Sequence, residues 1–243
     1  WVQREELAKA ITRVQRHLAA YPGDANAHFV LGSLRLSGKQ YDAARTELEH
    51  AIDLSPNLMQ AYLELGQVHR EQGAVDAAIE RYERAAALQP KAAPIRTLIG
   101  NLYLQKGNFE EARKCFEQAI SLNPNFAIAA NNLAWVYAEQ GANLDVALGL
   151  AQKAKQLLPD HDSVSDTLAW IYYKRGNYVG AIPLLQECVE KAPRDATFHY
   201  HFAMALLASG DKQKAKQQLE AALRFKLAGE DARQARQALS ELN

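Results

Sequence analysis

Cysteine is all but missing from this chain, which carries only Cys115 and Cys188 in 243 residues. Their positions give neither a zinc-finger spacing nor a redox pair. Neither sign of charge is in excess: 28 Lys and Arg balance 28 Asp and Glu. A chain without a basic face cannot release counterions from phosphates, so nucleic acid is excluded as the main partner. The one basic run, Lys212, Lys214 and Lys216, is flanked by Asp211 and Glu220 and reads as a solvated helix face. No apolar run approaches the ~20 residues that span a bilayer, so this segment should not insert directly into a membrane. No leader peptide is visible, but the chain opens on Trp1, and an upstream leader or anchor could have been removed.

Catalytic patterns are missing too. The glycines show no phosphate-binding spacing. His199 and His201 stand two apart and point to different sides of a helix, so they cannot chelate as an i, i+4 pair would. Asp160, His161 and Asp162 fall in a loop and supply too few ligands for Zn or Ca. The sequence therefore predicts no enzyme activity, no cofactor and no metal.

What is present is a period. Pro22, Pro56, Pro90, Pro124, Pro159 and Pro193 are separated by 34, 34, 34, 35 and 34 residues. Three further columns keep the same register. They are Gly32, Gly66, Gly100, Ala134, Ala169 and Ala203; Ala44, Ala78, Ala112, Ala147, Ala181 and Ala215; and Ala51, Ala85, Ala119, Ala154, Cys188 and Ala222. The single 35 is located in the turn at 141–147, one residue longer than the turn at 107–112. A fixed period of this length means repeated units that bury their apolar faces by stacking.

Each unit holds two apolar stretches at helical spacing, joined at Gly73, Gly107, Gly141, Gly176 or Gly210. Asn108, Asn177 and Asp211 follow directly and suit the N-cap of a second helix. The small columns predict close contact between antiparallel helices, with Leu48, Tyr82, Phe116, Leu185 and Leu219 filling the adjoining holes. Ala151 stands where repeat four would carry an aromatic, which predicts looser packing there. Pro183 falls inside a second helix, removes one backbone bond and predicts a local kink.

This pattern resembles the tetratricopeptide repeat, whose 34-residue consensus runs through Leu-Gly, Tyr, Ala, an aromatic, Ala and Pro. ELGQVHREQGAVDAAIERYERAAALQP (64–90) and IGNLYLQKGNFEEARKCFEQAISLNP (99–124) follow it closely. The early Trp column departs from it, holding His28, Tyr62, Arg96, Ala130, Ser165 and His199. The resemblance implies an all-α, right-handed α-solenoid of antiparallel helix pairs. Six units are expected at 25–58, 59–92, 93–126, 127–161, 162–195 and 196–229. Residues 1–24 read as the second helix of a truncated repeat, and 230–243 as a capping helix with Ala232, Ala235, Leu239 and Leu242 on one face. The chain is thus expected to start inside a repeat, as the C-terminal part of a longer protein. The stretch from NNLAWVYAEQG to the last repeat looks like the ends of long bacterial repeat scaffolds serving exopolysaccharide export and exosortase systems. That likeness implies a periplasmic or lipid-anchored setting, with the cytoplasm as the alternative.

In the family the first helix of each unit lines a concave wall. The stripe expected to face it includes Gln67, Asn101, Asn131, Trp135, Asp166, Trp170, Tyr173, Tyr200 and Met204. Amides can pair with both N–H and C=O of an extended backbone, and Trp, Tyr and Met supply apolar anchors. A protein or peptide partner is therefore expected in a groove. For Trp135 and Trp170 packing between adjacent repeats remains an equal reading. The family's carboxylate clamp needs basic residues where this chain has Phe29, Leu63, Thr97, Asn131, Asp166 and Tyr200. Its asparagine ladder would sit at Val30, Glu64, Leu98, Asn132, Thr167 and His201, only one of which is Asn. A scaffold is the first reading of function. The alternative is a substrate-recruiting or regulatory arm of an enzyme whose catalytic domain lies upstream. Self-association through the edge around Trp1 and Leu7 is a third expectation.

Overall fold

A computed structural model describes residues 2–141 and 143–242. Trp1, Ala142 in the longer turn, and Asn243 lie outside the described residues. Every regular element among the described residues is a helix, and the chain divides after Leu122 into two compact units.

The first unit contains α1 (Val2–Ala20), α2 (Ala25–Ser37), α3 (Tyr41–Leu54), α4 (Met59–Glu71), α5 (Val75–Leu88), α6 (Ala93–Gln105) and α7 (Phe109–Leu122). The second contains α8 (Ala127–Glu139), α9 (Leu144–Leu157), α10 (Asp162–Lys174), α11 (Tyr178–Lys191), α12 (Ala196–Ser209), α13 (Lys212–Arg224) and α14 (Gly229–Leu242). Within each unit consecutive helices pack as hairpins, and each hairpin packs on the next.

The second helix of every pair buries residues at i, i+4 and i+7. Ala44, Leu48 and Ala51 do so in α3, Ala78, Tyr82 and Ala85 in α5, and Ala112, Phe116 and Ala119 in α7. Ala147, Ala151 and Ala154 repeat this in α9, as do Ala181, Leu185 and Cys188 in α11 and Ala215, Leu219 and Ala222 in α13. That spacing makes one apolar stripe, and its Ala members let the paired backbone come close. The glycine column shows how close. A Cβ on Gly66 would lie 2.5 Å from the Tyr82 ring, and one on Gly100 would lie 2.6 Å from the Phe116 ring.

Helix ends follow the sequence. Asn108, Asn177 and Asp211 each accept a backbone N–H three residues on, and Asp24 and Asp195 cap α2 and α12 in the same manner. Helix α11 runs unbroken through Pro183. The carbonyl that its ring leaves unbonded belongs to Val179, which is almost fully exposed, so water can satisfy it.

The turn glycines Gly73, Gly107, Gly176 and Gly210 adopt positive φ. In the first repeat that column holds Lys39, at φ 57°, while Gly38 beside it stays at φ −82°. A side chain in the left-handed region is strained. Lys39→Gly should therefore stabilise the chain by about 0.5–1 kcal/mol, read as a higher urea midpoint. No change would mean that the strain is compensated locally.

Candidate functional site

In the second unit α10 and α12 are buried nearly all round, because neighbouring helices flank them. Val164 through Ile171 are all buried, as are Phe198 through Ala203. This burial decides what the expected groove residues do.

Trp170, 5% exposed, donates from Nε1 to Glu139 Oε1 on α8 at 2.5 Å. Its ring stacks on Tyr173 with centroids 4.7 Å apart and on His201 of α12 at 4.0 Å. Lys174 Nζ lies 4.9 Å from the same ring and 3.8 Å from Glu139. Asp166 is 6% exposed and holds His201 Nδ1 with both carboxylate oxygens, at 2.8 and 2.9 Å. Tyr200, 1% exposed, donates to Gln234 on α14 at 2.7 Å. A layer of polar and aromatic side chains thus crosses α8, α10, α12 and α14.

The electrostatics follow from burial. Desolvation opposes a charged His201, but the carboxylate of Asp166 outweighs it by charge and hydrogen bond, helped by Asp231 and Glu139. The His201 pKa is raised in consequence. Burial raises Asp231, against the lowering pull of His201. Burial likewise raises Tyr173 and Tyr200. The thiols of Cys115 and Cys188 are pushed up to about 11 and about 12, again by burial first, and neither is in a disulfide. Such thiols are poor nucleophiles.

The nine expected site residues therefore separate. Asp166, Trp170 and Tyr200 direct their polar atoms inward, which corrects the expectation that they face a groove: for Trp170, packing between repeats is the arrangement seen. Asn131 is buried as well. Its Nδ2 donates to Asn132 Oδ1 at 3.3 Å, and its own Oδ1 has no partner. Trp135, Tyr173 and Met204 are half-buried, with Tyr173 and Met204 packed against the layer that holds Trp170 and Tyr200. Gln67 and Asn101, in the first unit, are exposed. The cap expected at the C-terminus forms: Ala232, Ala235 and Ala238 of α14 are buried, with Leu239 and Leu242 packed beside them.

A cleft of about 480 Å³ lies elsewhere, at the amino-terminal edge of the first unit, lined by Leu7, Ala8, Ile11, Ser37, Gly38, Lys39 and Gln40. Leu7, named above for self-association, is one of its walls, and Trp1 is outside the described residues.

Sequence reasoning missed the bonds that join neighbouring repeats. Asp42 to Gln72, Asp76 to Lys106 and Asp145 to Arg175 link the start of one second helix to the end of the next first helix, each at a separation of 30 residues. Ser33 to Glu64 and Trp170 to Glu139 join the first helices of neighbouring repeats at 31. Pairing opposite charges four residues short of the period would have found Asp76 to Lys106 and Asp145 to Arg175.

The residues 2–239 match the profile of the family described as the cilia and flagella-associated protein 70 C-terminal domain, a tetratricopeptide repeat family. No curated protein matches the sequence. Among solved structures, a chain of the APC/C hetero-tetramer Cut9–Hcn1 superposes with a TM-score of 0.80 at 20% identity, over 98% of this chain and 46% of its own. This chain thus spans about half the length of that one. A tetratricopeptide repeat protein from Parabacteroides merdae gives 0.72 at 16% identity, covering 99% of this chain and 94% of its own. YrrB, described as a repeat protein with an unusual peptide-binding site, gives 0.62 at 18%, covering 81% and 97%. These likenesses fix the fold as the α-solenoid of helix pairs that the resemblance implied. No helix among the described residues is long and apolar enough to cross a membrane. The chain belongs to the tetratricopeptide repeat family of the cilia and flagella-associated protein 70 C-terminal domain.

Proposed function

We propose that the chain is a protein-interaction scaffold that takes an extended peptide along the first-helix face of its second unit, without chemistry of its own. The observation that carries this reading is the half-buried set of Trp135, Tyr173 and Met204 on α8, α10 and α12, the last two packed against a buried layer. An anchor whose rotamer is already fixed loses little entropy on binding, so preorganised aromatics make effective hot spots. Four residues before Trp135 on α8, Asn131 Oδ1 is an unpartnered acceptor. A modest turn of that amide would offer it to a backbone N–H of the peptide. Asp166, Trp170 and Tyr200 act here as supports. In the first unit, Gln67 and Asn101 stand exposed on equivalent first helices. The peptide-binding description of YrrB and the assembly described for Cut9–Hcn1 are in keeping with such a role.

Selection from a library of extended peptides supplies the test. Trp135→Ala should weaken the selected peptides about 30-fold, the scale of an aromatic hot spot of ~2 kcal/mol. Val179→Ala, on an exposed second-helix position, should leave them unchanged. If Trp135→Ala, Tyr173→Ala and Met204→Ala all bind as the parent does, peptides do not use this face.

A further inference from the structure

The first repeat contains a cluster that its packing does not explain. His28 lies near the start of α2, while Glu47 and His50 stand three residues apart on α3 and so share a face. One ligand atom from each of the three lies within 4.8 Å of the others, the one such group among the described residues. His28 and Glu47 are mostly buried, and His50 is exposed at the mouth.

The hydrogen bonding of His28 is unusual. Its Nε2 faces the Pro22 carbonyl at 3.1 Å, and its Nδ1 faces Glu47 Oε2 at 2.7 Å. Both partners only accept. A neutral imidazole has a single N–H and can satisfy only one of them, while a metal ion at Nδ1 would satisfy the other. A histidine that gives one N–H to a backbone carbonyl while its other nitrogen meets a cation is the usual arrangement of a metal ligand.

The sixth repeat provides an internal comparison. His199 repeats the same contacts at the same spacings, with Nε2 facing the Pro193 carbonyl and Nδ1 facing Gln218. There a neutral amide can turn to donate, so no cation is required. At the place of His50 that repeat has Ala221. The histidine is thus common to both repeats as a structural contact, while the carboxylate and the second histidine are particular to the first. Glu-x-x-His on one helix, with a further ligand from its neighbour, is also the way helical bundles assemble metal sites.

We propose that His28, Glu47 and His50 bind a divalent transition ion, with zinc the best chemical fit. Two imidazoles and one carboxylate match its preferences, and water completes the tetrahedron. Ligand atoms at ~2.0–2.2 Å from a tetrahedral ion stand about 3.3 Å apart. Glu47 need only withdraw slightly from His28, and His50, on the open side, closes the set. The ion's effect would be to pin α2 to α3.

The test is zinc titration of the tag-free chain against a chromophoric chelator, with cobalt as a spectroscopic substitute. One equivalent should bind, and cobalt should show the visible bands of a tetrahedral site. His50→Ala should weaken binding at least 10-fold, and zinc should no longer raise its thermal midpoint. Because His50 is exposed, this variant should fold as the parent does in the absence of metal. His161→Ala, in the second unit, should bind zinc like the parent. Absence of stoichiometric binding at about 100 μM zinc, or equal affinity in His50→Ala, would overturn the assignment.

Discussion

Gly100→Ala should destabilise the chain by about 1–3 kcal/mol, although alanine is the better helix former. The gain in propensity is about 1 kcal/mol, and the loss is steric. The new methyl would stand 2.6 Å from the Phe116 ring and within 2.9 Å of two more of its atoms. Phe116 is fully buried in α7, and a ring packed on all sides cannot rotate away without moving its neighbours. Other repeats show the permitted combination, since Ala169 and Ala203 occupy the glycine column where the second helices carry Leu185 and Leu219. Gly100→Ala combined with Phe116→Leu should therefore cost less than the two single changes added together. A double-mutant cycle on urea unfolding measures that coupling, with the proviso that stacked repeats unfold as neighbouring units. Gly23→Ala, where an added Cβ meets nothing within 4 Å, is the neutral control. Strict additivity at positions 100 and 116 would mean that the small column is not a record of backbone approach.

Much of the architecture was legible because repetition turns packing into arithmetic. Ala44, Leu48 and Ala51 are read as a buried stripe not from their own apolarity but because five further copies keep the same spacing. Caps were equally visible, since Asn108, Asn177 and Asp211 stand directly after turn glycines and have one local use. Lys39 was not: it occupies the glycine column with a positive φ, a conformation that lysine does not advertise. The face of the site was the weakest point. A stripe at helical spacing says which residues share an azimuth, but not how far neighbouring helices rise over it. Asp166 and Tyr200 lie on the expected stripe, yet His201 and α14 reach across them. Trp170 is covered from both sides, by Glu139 of the repeat before and His201 of the repeat after. Those partners lie 31 to 35 residues away and pair unlike side chains. A search for identical columns therefore passes over them. The cluster of His28, Glu47 and His50 escaped for a related reason, because two of its members depart from the repeat instead of belonging to it.

His201→Phe should cost about 3–5 kcal/mol near pH 6, more than most other single changes in the second unit. The replacement keeps a ring against Trp170 but leaves the Asp166 carboxylate buried without its partner, and breaking a buried pair from one side is the costly way to lose it. Removing both charges, with Asp166→Leu added, should return part of that loss. The same pair gives the stability a pH dependence of defined sign. Asp166, with Asp231 and Glu139, raises the His201 pKa in the folded chain above its ordinary 6.5. Folding thus favours the protonated imidazole. The stability so contributed is complete below pH 6.5 and fades as the pH rises through the folded-state value. Asp166→Asn keeps the shape and lowers the attraction, so its deficit against the parent should be greatest near pH 6 and narrow toward pH 9. His69 acts in the opposite direction, since burial lowers its pKa, but it is present in both proteins and cancels in the comparison. Urea midpoints at half-unit steps of pH decide the matter. A deficit constant across that range would mean that His201 is neutral in the folded chain, and that Asp166 holds it by a plain hydrogen bond.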